Sequence, residues 1–133
     1  MPESGPFTLG KEERISSKKL IERLFGGGGS RAMSAFPLRM VYMLGNDAQG
    51  QPQAVMMVSV SKRRFRHAVD RNRVKRQVRE AYRKNKYILT DRMKDLPDRT
   101  AAMAFIWIDD SMHATADVEK SMRNLLTRLS EKL

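Results

Sequence analysis

Residues 101 to 108 read Ala101-Ala102-Met103-Ala104-Phe105-Ile106-Trp107-Ile108, apolar at every position. A strand with one wet face alternates apolar and polar residues, so an uninterrupted apolar run is the pattern of a strand covered on both sides. It is predicted to lie in the middle of a sheet. The run is also far shorter than the roughly 20 residues a membrane-spanning helix needs.

Upstream of this strand, residues 68 to 86 fit a helix whose Val74, Val78, Ala81 and Tyr82 form one narrow apolar stripe suited to packing on the sheet. Further back, Leu38 to Leu44 alternates, and Ala54 to Val60 is a second strand-like run. The turn residues between them predict an antiparallel hairpin. A short helix precedes these, with Ser16 and Ser17 as candidate caps, Leu20, Ile21, Leu24 and Phe25 on one face, and Gly26 to Gly29 as its stop. Downstream, Val118, Met122, Leu125, Leu126, Leu129 and Leu133 keep helical spacing from Thr115 or Asp117 onward. The expected order is helix, strand, strand, a further short strand, helix, strand, helix. That is an α+β, single-domain α/β sandwich of sheet against helices over residues 15 to 133. Residues 1 to 14, broken by Pro2, Gly5, Pro6 and Gly10, are expected to be an irregular arm.

With 133 residues, 41% of them hydrophobic, the chain has the length and apolar content for one core. It has no cysteine, which excludes disulfides, thiolate catalysis and zinc fingers and fits a reducing compartment. The N-terminus has neither the basic start nor the apolar stretch of a secretory signal, so a cytoplasmic location and no membrane partner are expected.

Charge carries the functional signal. The chain holds 26 basic and 15 acidic residues, net +11, and residues 62 to 86 account for +10 of it, with 12 basic against two acidic side chains. On the predicted helix, Asn72, Lys75, Arg76, Arg79, Arg83 and Lys86 follow one continuous ridge, flanked by Arg71, Arg73 and Lys84. An ordinary solvated helix face mixes signs to gain pairs four residues apart, and this one forgoes nearly all of them. The self-repulsion that results is favourable only against a polyanion, so the pattern points to nucleic acid. Charge alone leaves RNA and DNA both open, although the preponderance of arginine, which forks onto phosphate and stacks on unpaired bases, leans towards structured RNA.

The residues for protein-borne hydrolysis are sparse. His67 and His113 have no metal-binding spacing, and Asp109 and Asp110, neighbours at a strand end, are expected to point to opposite sides. No catalytic or metal-binding residue is assigned. The glycine run is followed by Ser30-Arg31, not by the lysine and hydroxyl residue of a phosphate-binding P-loop, and reads as a connector.

The stretch Ser59-Val60-Ser61-Lys62-Arg63, followed after a short insertion by Ala68-Val69-Asp70-Arg71-Asn72-Arg73-Val74-Lys75-Arg76-Gln77-Val78-Arg79-Glu80-Ala81-Tyr82, resembles the signature of the bacterial ribonuclease P protein family. The resemblance covers about residues 14 to 133. It implies a left-handed β-α-β crossover, an exception to the right-handed rule. It also implies contact with the catalytic ribonuclease P RNA through Lys62, Arg63, Arg71, Asn72, Arg73, Lys75, Arg76 and Arg79. The same RNA contact is expected of Arg83, which extends that ridge, and of Arg64, which opens an insertion, Arg64 to His67, that departs from the family's shorter glycine-containing connection. A cleft between sheet and first helix is implied to hold the single-stranded 5′ leader of precursor tRNA, with Ile21, Phe25 and Tyr42 as the carried-over positions. Many relatives have an aromatic residue where this chain has Ile21. The implied enzyme is a ribonucleoprotein endonuclease in which Mg²⁺, held mainly by RNA, serves hydrolysis by the RNA subunit. The protein binds no cofactor of its own and requires no protein partner. The alternatives are a structural or ribosome-associated RNA-binding protein and a protein-only nuclease.

Overall fold

The structure, a computed structural model, describes residues 14–15, 18–26, 29–46, 48 and 52–133. Its elements are α1 (Lys18–Phe25), β1 (Arg31–Ala35), β2 (Leu38–Gly45), β3 (Ala54–Ser59), α2 (Ala68–Asn85), α3 (Tyr87–Met93), β4 (Thr100–Trp107) and α4 (Thr115–Ser130). The strands make one sheet in the order β1-β2-β4-β3. β2 runs antiparallel to both β1 and β4, while β3 runs parallel to β4.

The apolar run is β4, and it sits between β2 and β3 as its composition predicts. Its two faces meet different partners. Met103 and Phe105 join Met40, Tyr42 and Met56 in the main core, against Val74, Val78 and Tyr82 of α2, Leu89 of α3 and Leu125 and Leu129 of α4. Ala102 and Ala104 face the other way, where Leu24 and Leu20 of α1 pack over Val41, Met43, Val55 and Met57. The small alanines leave room for α1 to lie close to the sheet. The parallel β3–β4 pair is joined through α2 and α3, a β-α-β unit of the length that parallel pairing demands.

Four expectations need correction. The runs 38–44 and 54–60 are not a hairpin, because β4 lies between them. An interior strand must hydrogen-bond on both edges, and β4 takes β2 and β3 as its two neighbours. β2 instead makes its hairpin with β1, through Phe36-Pro37, with Ala35 opposite Leu38. The further short strand expected after the second therefore exists ahead of both, as β1. Among its residues only Met33 is buried, and Arg, Ala and Ser are weak strand formers, so little periodicity marks it. The third correction is α3, absent from the expected order: seven residues anchored by buried Leu89 and Met93. The fourth is Lys86, placed on the exposed ridge but only 5% exposed at the α2–α3 junction, where its carbonyl accepts hydrogen bonds from Leu89 and Thr90.

The final helix starts at Thr115 and buries Val118, Met122, Leu125, Leu126 and Leu129 as expected. The Ser16-Ser17 cap, Gly27, Gly28, the turn residues 47 and 49–51 and the arm up to residue 13 lie outside the described residues. Arg14 is described, and it bridges to Met56 of β3. No helix among the described residues is long and apolar enough to cross a membrane.

Candidate nucleic-acid interface

α2 buries Val74, Val78, Ala81 and Tyr82 against the core and thereby turns its basic ridge outward. Asn85 closes the helix, donating from Nδ2 to the Ala81 carbonyl at 2.8 Å. Asn72, Arg73 and Arg76 are exposed, and Lys75 and Arg79 are half-buried. Among the described residues, no carboxylate pairs with Lys62, Arg63, Arg66, Arg73, Lys75, Arg76 or Arg79. Arg79 is held below the usual guanidinium range, first by burial and then by the nearby charge of Arg14. Arg14, bridged to Met56 of β3, and Arg79 of α2 are thus near enough for their charges to interact.

Three predicted contact residues have internal partners. Arg71 folds back and donates from Nη1 to the Phe65 carbonyl at 2.8 Å and the Arg66 carbonyl at 3.0 Å, fixing the loop before α2. Arg64 pairs with Asp110 at 3.1 Å. Arg83 grips Glu80 with both Nε and Nη2, at 2.8 and 2.5 Å. That fork holds the Glu80 carboxyl below its usual range and raises Arg83. The open ridge therefore ends near Arg79.

On the opposite face of the sheet, α1 and the pair Arg14 and Ile15 border a cavity of about 370 Å³. Its lining is mixed, with Ile15, Leu20, Met43, Val55 and Ala102 apolar, Gln53 and Thr100 polar, and Arg14 and Arg23 supplying charge. Ile21 is half-buried and Phe25 is 47% exposed on α1, and neither is among the residues that line this cavity. Tyr42 does not join them. Strand alternation puts Val41 and Met43 on the α1 face, and Tyr42, 3% exposed, in the core beneath α2 and α4. A ring so enclosed has no face open to a base. Arg14, Arg23 and Leu20 are the cleft residues the sequence did not reveal, because their placement depends on how α1 lies across the sheet.

Asp109 and Asp110 diverge as expected. Asp109 Oδ2 meets His113 Nε2 at 2.6 Å, whereas Asp110 goes to Arg64. The His113 hydrogen bond holds the Asp109 carboxyl below its usual range. Since each carboxylate is committed to a separate partner, the pair does not present a shared face to a cation.

A family model described as Ribonuclease P matches residues 9–130 of this chain. The chain belongs to the ribonuclease P protein family. The ribonuclease P protein component of Porphyromonas gingivalis is 41% identical over 130 residues, a span covering 98% of this chain and 92% of the relative. That of Chlorobaculum tepidum is 32% identical, with 90% and 83% covered. Among solved structures, the RNase P protein from Thermotoga maritima superimposes with a TM-score of 0.65 at 18% identity, covering 87% of this chain and 96% of its own. The Staphylococcus aureus RNase P protein gives 0.64 at 18%, with 88% and 94% covered. These two carry the fold. Family membership makes the chain a component of the ribonuclease P endoribonuclease, with tRNA processing as its general role.

Proposed function

We propose that the chain grips the catalytic RNA of ribonuclease P through the open cations of α2 and the loop before it. With the α1 side of the sheet it holds the single-stranded 5′ leader of precursor tRNA. The observation that carries this reading is the run of Arg73, Lys75, Arg76 and Arg79, with no carboxylate partner among the described residues, on a helix whose other side is locked in the core. Such a ridge neutralises phosphates at fixed spacing without itself moving. On α1, exposed Phe25 offers a ring face that any base can stack on, and Ile21 offers apolar cover without stacking. A leader that differs between precursors requires contacts of this sequence-tolerant kind.

Phosphodiester hydrolysis belongs to the RNA subunit, with Mg²⁺ held mainly by RNA, in the cytoplasm. The protein's residues bind and orient, and they speed the chemical step only where contacts improve in the transition state. The test is cleavage of labelled precursor tRNA at low Mg²⁺ by the protein alone, a bacterial ribonuclease P RNA alone, and the two mixed. Efficient cutting at the mature 5′ end by the mixture only is the expected result. A protein that adds nothing to the RNA is a general RNA binder, and a protein that cuts alone refutes the division of labour.

A further inference from the structure

The β1–β2 turn carries Phe36, a large apolar side chain that is 61% exposed. Its backbone is tied down independently of its ring, because the Phe36 carbonyl accepts from Ser121 Oγ of α4 at 2.7 Å. The ring meets His113 edge-on, with centroids 5.5 Å apart and planes at 73°. His113 in turn meets buried Trp107 edge-on at 5.5 Å. His113 is fixed from two sides, by Asp109 at its ring and by Gln77 Nε2, which donates to its carbonyl at 2.9 Å. Phe36 is therefore held in place by its contact with His113 and by its backbone while much of the ring stays open to solvent.

Gln77 links this aromatic cluster to a groove of about 340 Å³ between α2 and α4, lined by Arg73, Arg76, Gln77, Glu80 and Thr115. The one carboxylate there, Glu80, is already neutralised by Arg83. The N-cap of α4, Ala114, supplies no side-chain hydrogen bond, and Asp117 stands in the first turn of that helix, so the positive charge of the groove comes from its two arginines. An exposed ring linked through His113 and Gln77 to two arginines that have no carboxylate partner among the described residues is the chemistry that receives an unpaired nucleotide: a face for the base and forks for the phosphate.

We propose that Phe36, with Arg73 and Arg76 of the groove to which Gln77 links it, holds one unpaired nucleotide of the ribonuclease P RNA. The assignment rests on the reading of α2 as the RNA-subunit contact, because the groove is continuous with that ridge. The occupant is the RNA subunit and not precursor tRNA, whose leader is assigned to the opposite face of the sheet.

The test is titration of ribonuclease P RNA, and separately of precursor tRNA, with wild type, Phe36→Ala, Phe36→Leu and Phe36→Trp at several salt concentrations. Phe36→Ala and Phe36→Leu should each weaken RNA-subunit binding about tenfold, within the range of one base–aromatic stack. The salt slope should stay unchanged, since a stack releases no counterions. Phe36→Trp should bind like wild type, and thermal melts should show all four folded. Wild-type affinity for Phe36→Ala, full recovery by Phe36→Leu, or a loss confined to precursor tRNA would each overturn the proposal. Failure of wild type itself to bind the RNA would instead refute the α2 reading beneath it.

Discussion

A single side-chain amide, that of Gln53, holds the connection between α3 and β4. Its Nε2 lies 3.1, 2.5 and 3.0 Å from the carbonyl oxygens of Met93, Leu96 and Arg99, and the residue's backbone carbonyl accepts from the Ala101 amide at 2.7 Å. Those carbonyls end α3 and start the central strand, so their donor sets where β4 begins. Gln53→Ala should cost about 1–3 kcal/mol, the usual penalty for leaving partly buried acceptors without a donor. Gln53→Glu should cost more, since a carboxylate oxygen would then face three carbonyl oxygens. Urea or thermal melts of the two variants check this, and a Glu variant as stable as wild type would refute it. Nothing in the sequence marks Gln53, because its acceptors lie 40 or more residues away. His113 is similarly opaque in the sequence, where it has no partner at metal-binding spacing, yet it is half-buried between Phe36, Trp107 and Asp109.

At the scale of elements, legibility follows how much of the signal is local. The stripe and ridge of α2 are readable because helical spacing fixes both faces at once, and the apolar run of β4 is readable because burial on both sides removes alternation. Strand pairing is not, since alternation in β2 and β3 says that each is half-buried but not which strand lies beside it. The same limit misplaces Tyr42: its assignment to the cleft comes from resemblance, and only the sheet's neighbours reveal which face of the strand meets α1. α3 escapes because two anchors in seven residues barely exceed the background of apolar spacing. For α2 the prediction is direct. Arg73→Glu with Arg76→Glu should leave the melting temperature unchanged or higher, because two like charges leave a self-repelling face. RNA-subunit binding should weaken, and the salt slope should fall by roughly one for each phosphate no longer neutralised. Titration at several salt concentrations with circular dichroism separates the effects, and unchanged affinity at moderate salt would remove α2 from the interface.

Across the whole molecule, the two proposed contacts lie on opposite faces of one sheet, α2 over Met56 and Phe105, α1 over Ala102 and Ala104. Close-packed strands lie between them, so Phe25 and Arg76 share no partner. Their effects on precursor-tRNA binding by the holoenzyme should therefore add to within about 0.5 kcal/mol, as distant sites usually do. Arg14 behaves differently. It lines the α1 cavity, is pinned to β3 by its bridge with Met56, and its charge reaches Arg79 on α2. Arg14 and Arg79 thus interact by charge with no carboxylate partner for either among the described residues, and a phosphate bound between them would offset that repulsion. Arg14→Ala and Arg79→Ala should consequently be non-additive, with a coupling of about 0.5 kcal/mol or more in the same assay. A double-mutant cycle for each pair decides the point. Coupling between Phe25 and Arg76 together with additivity between Arg14 and Arg79 would mean that the nucleic acid does not cross the molecule between Arg14 and Arg79.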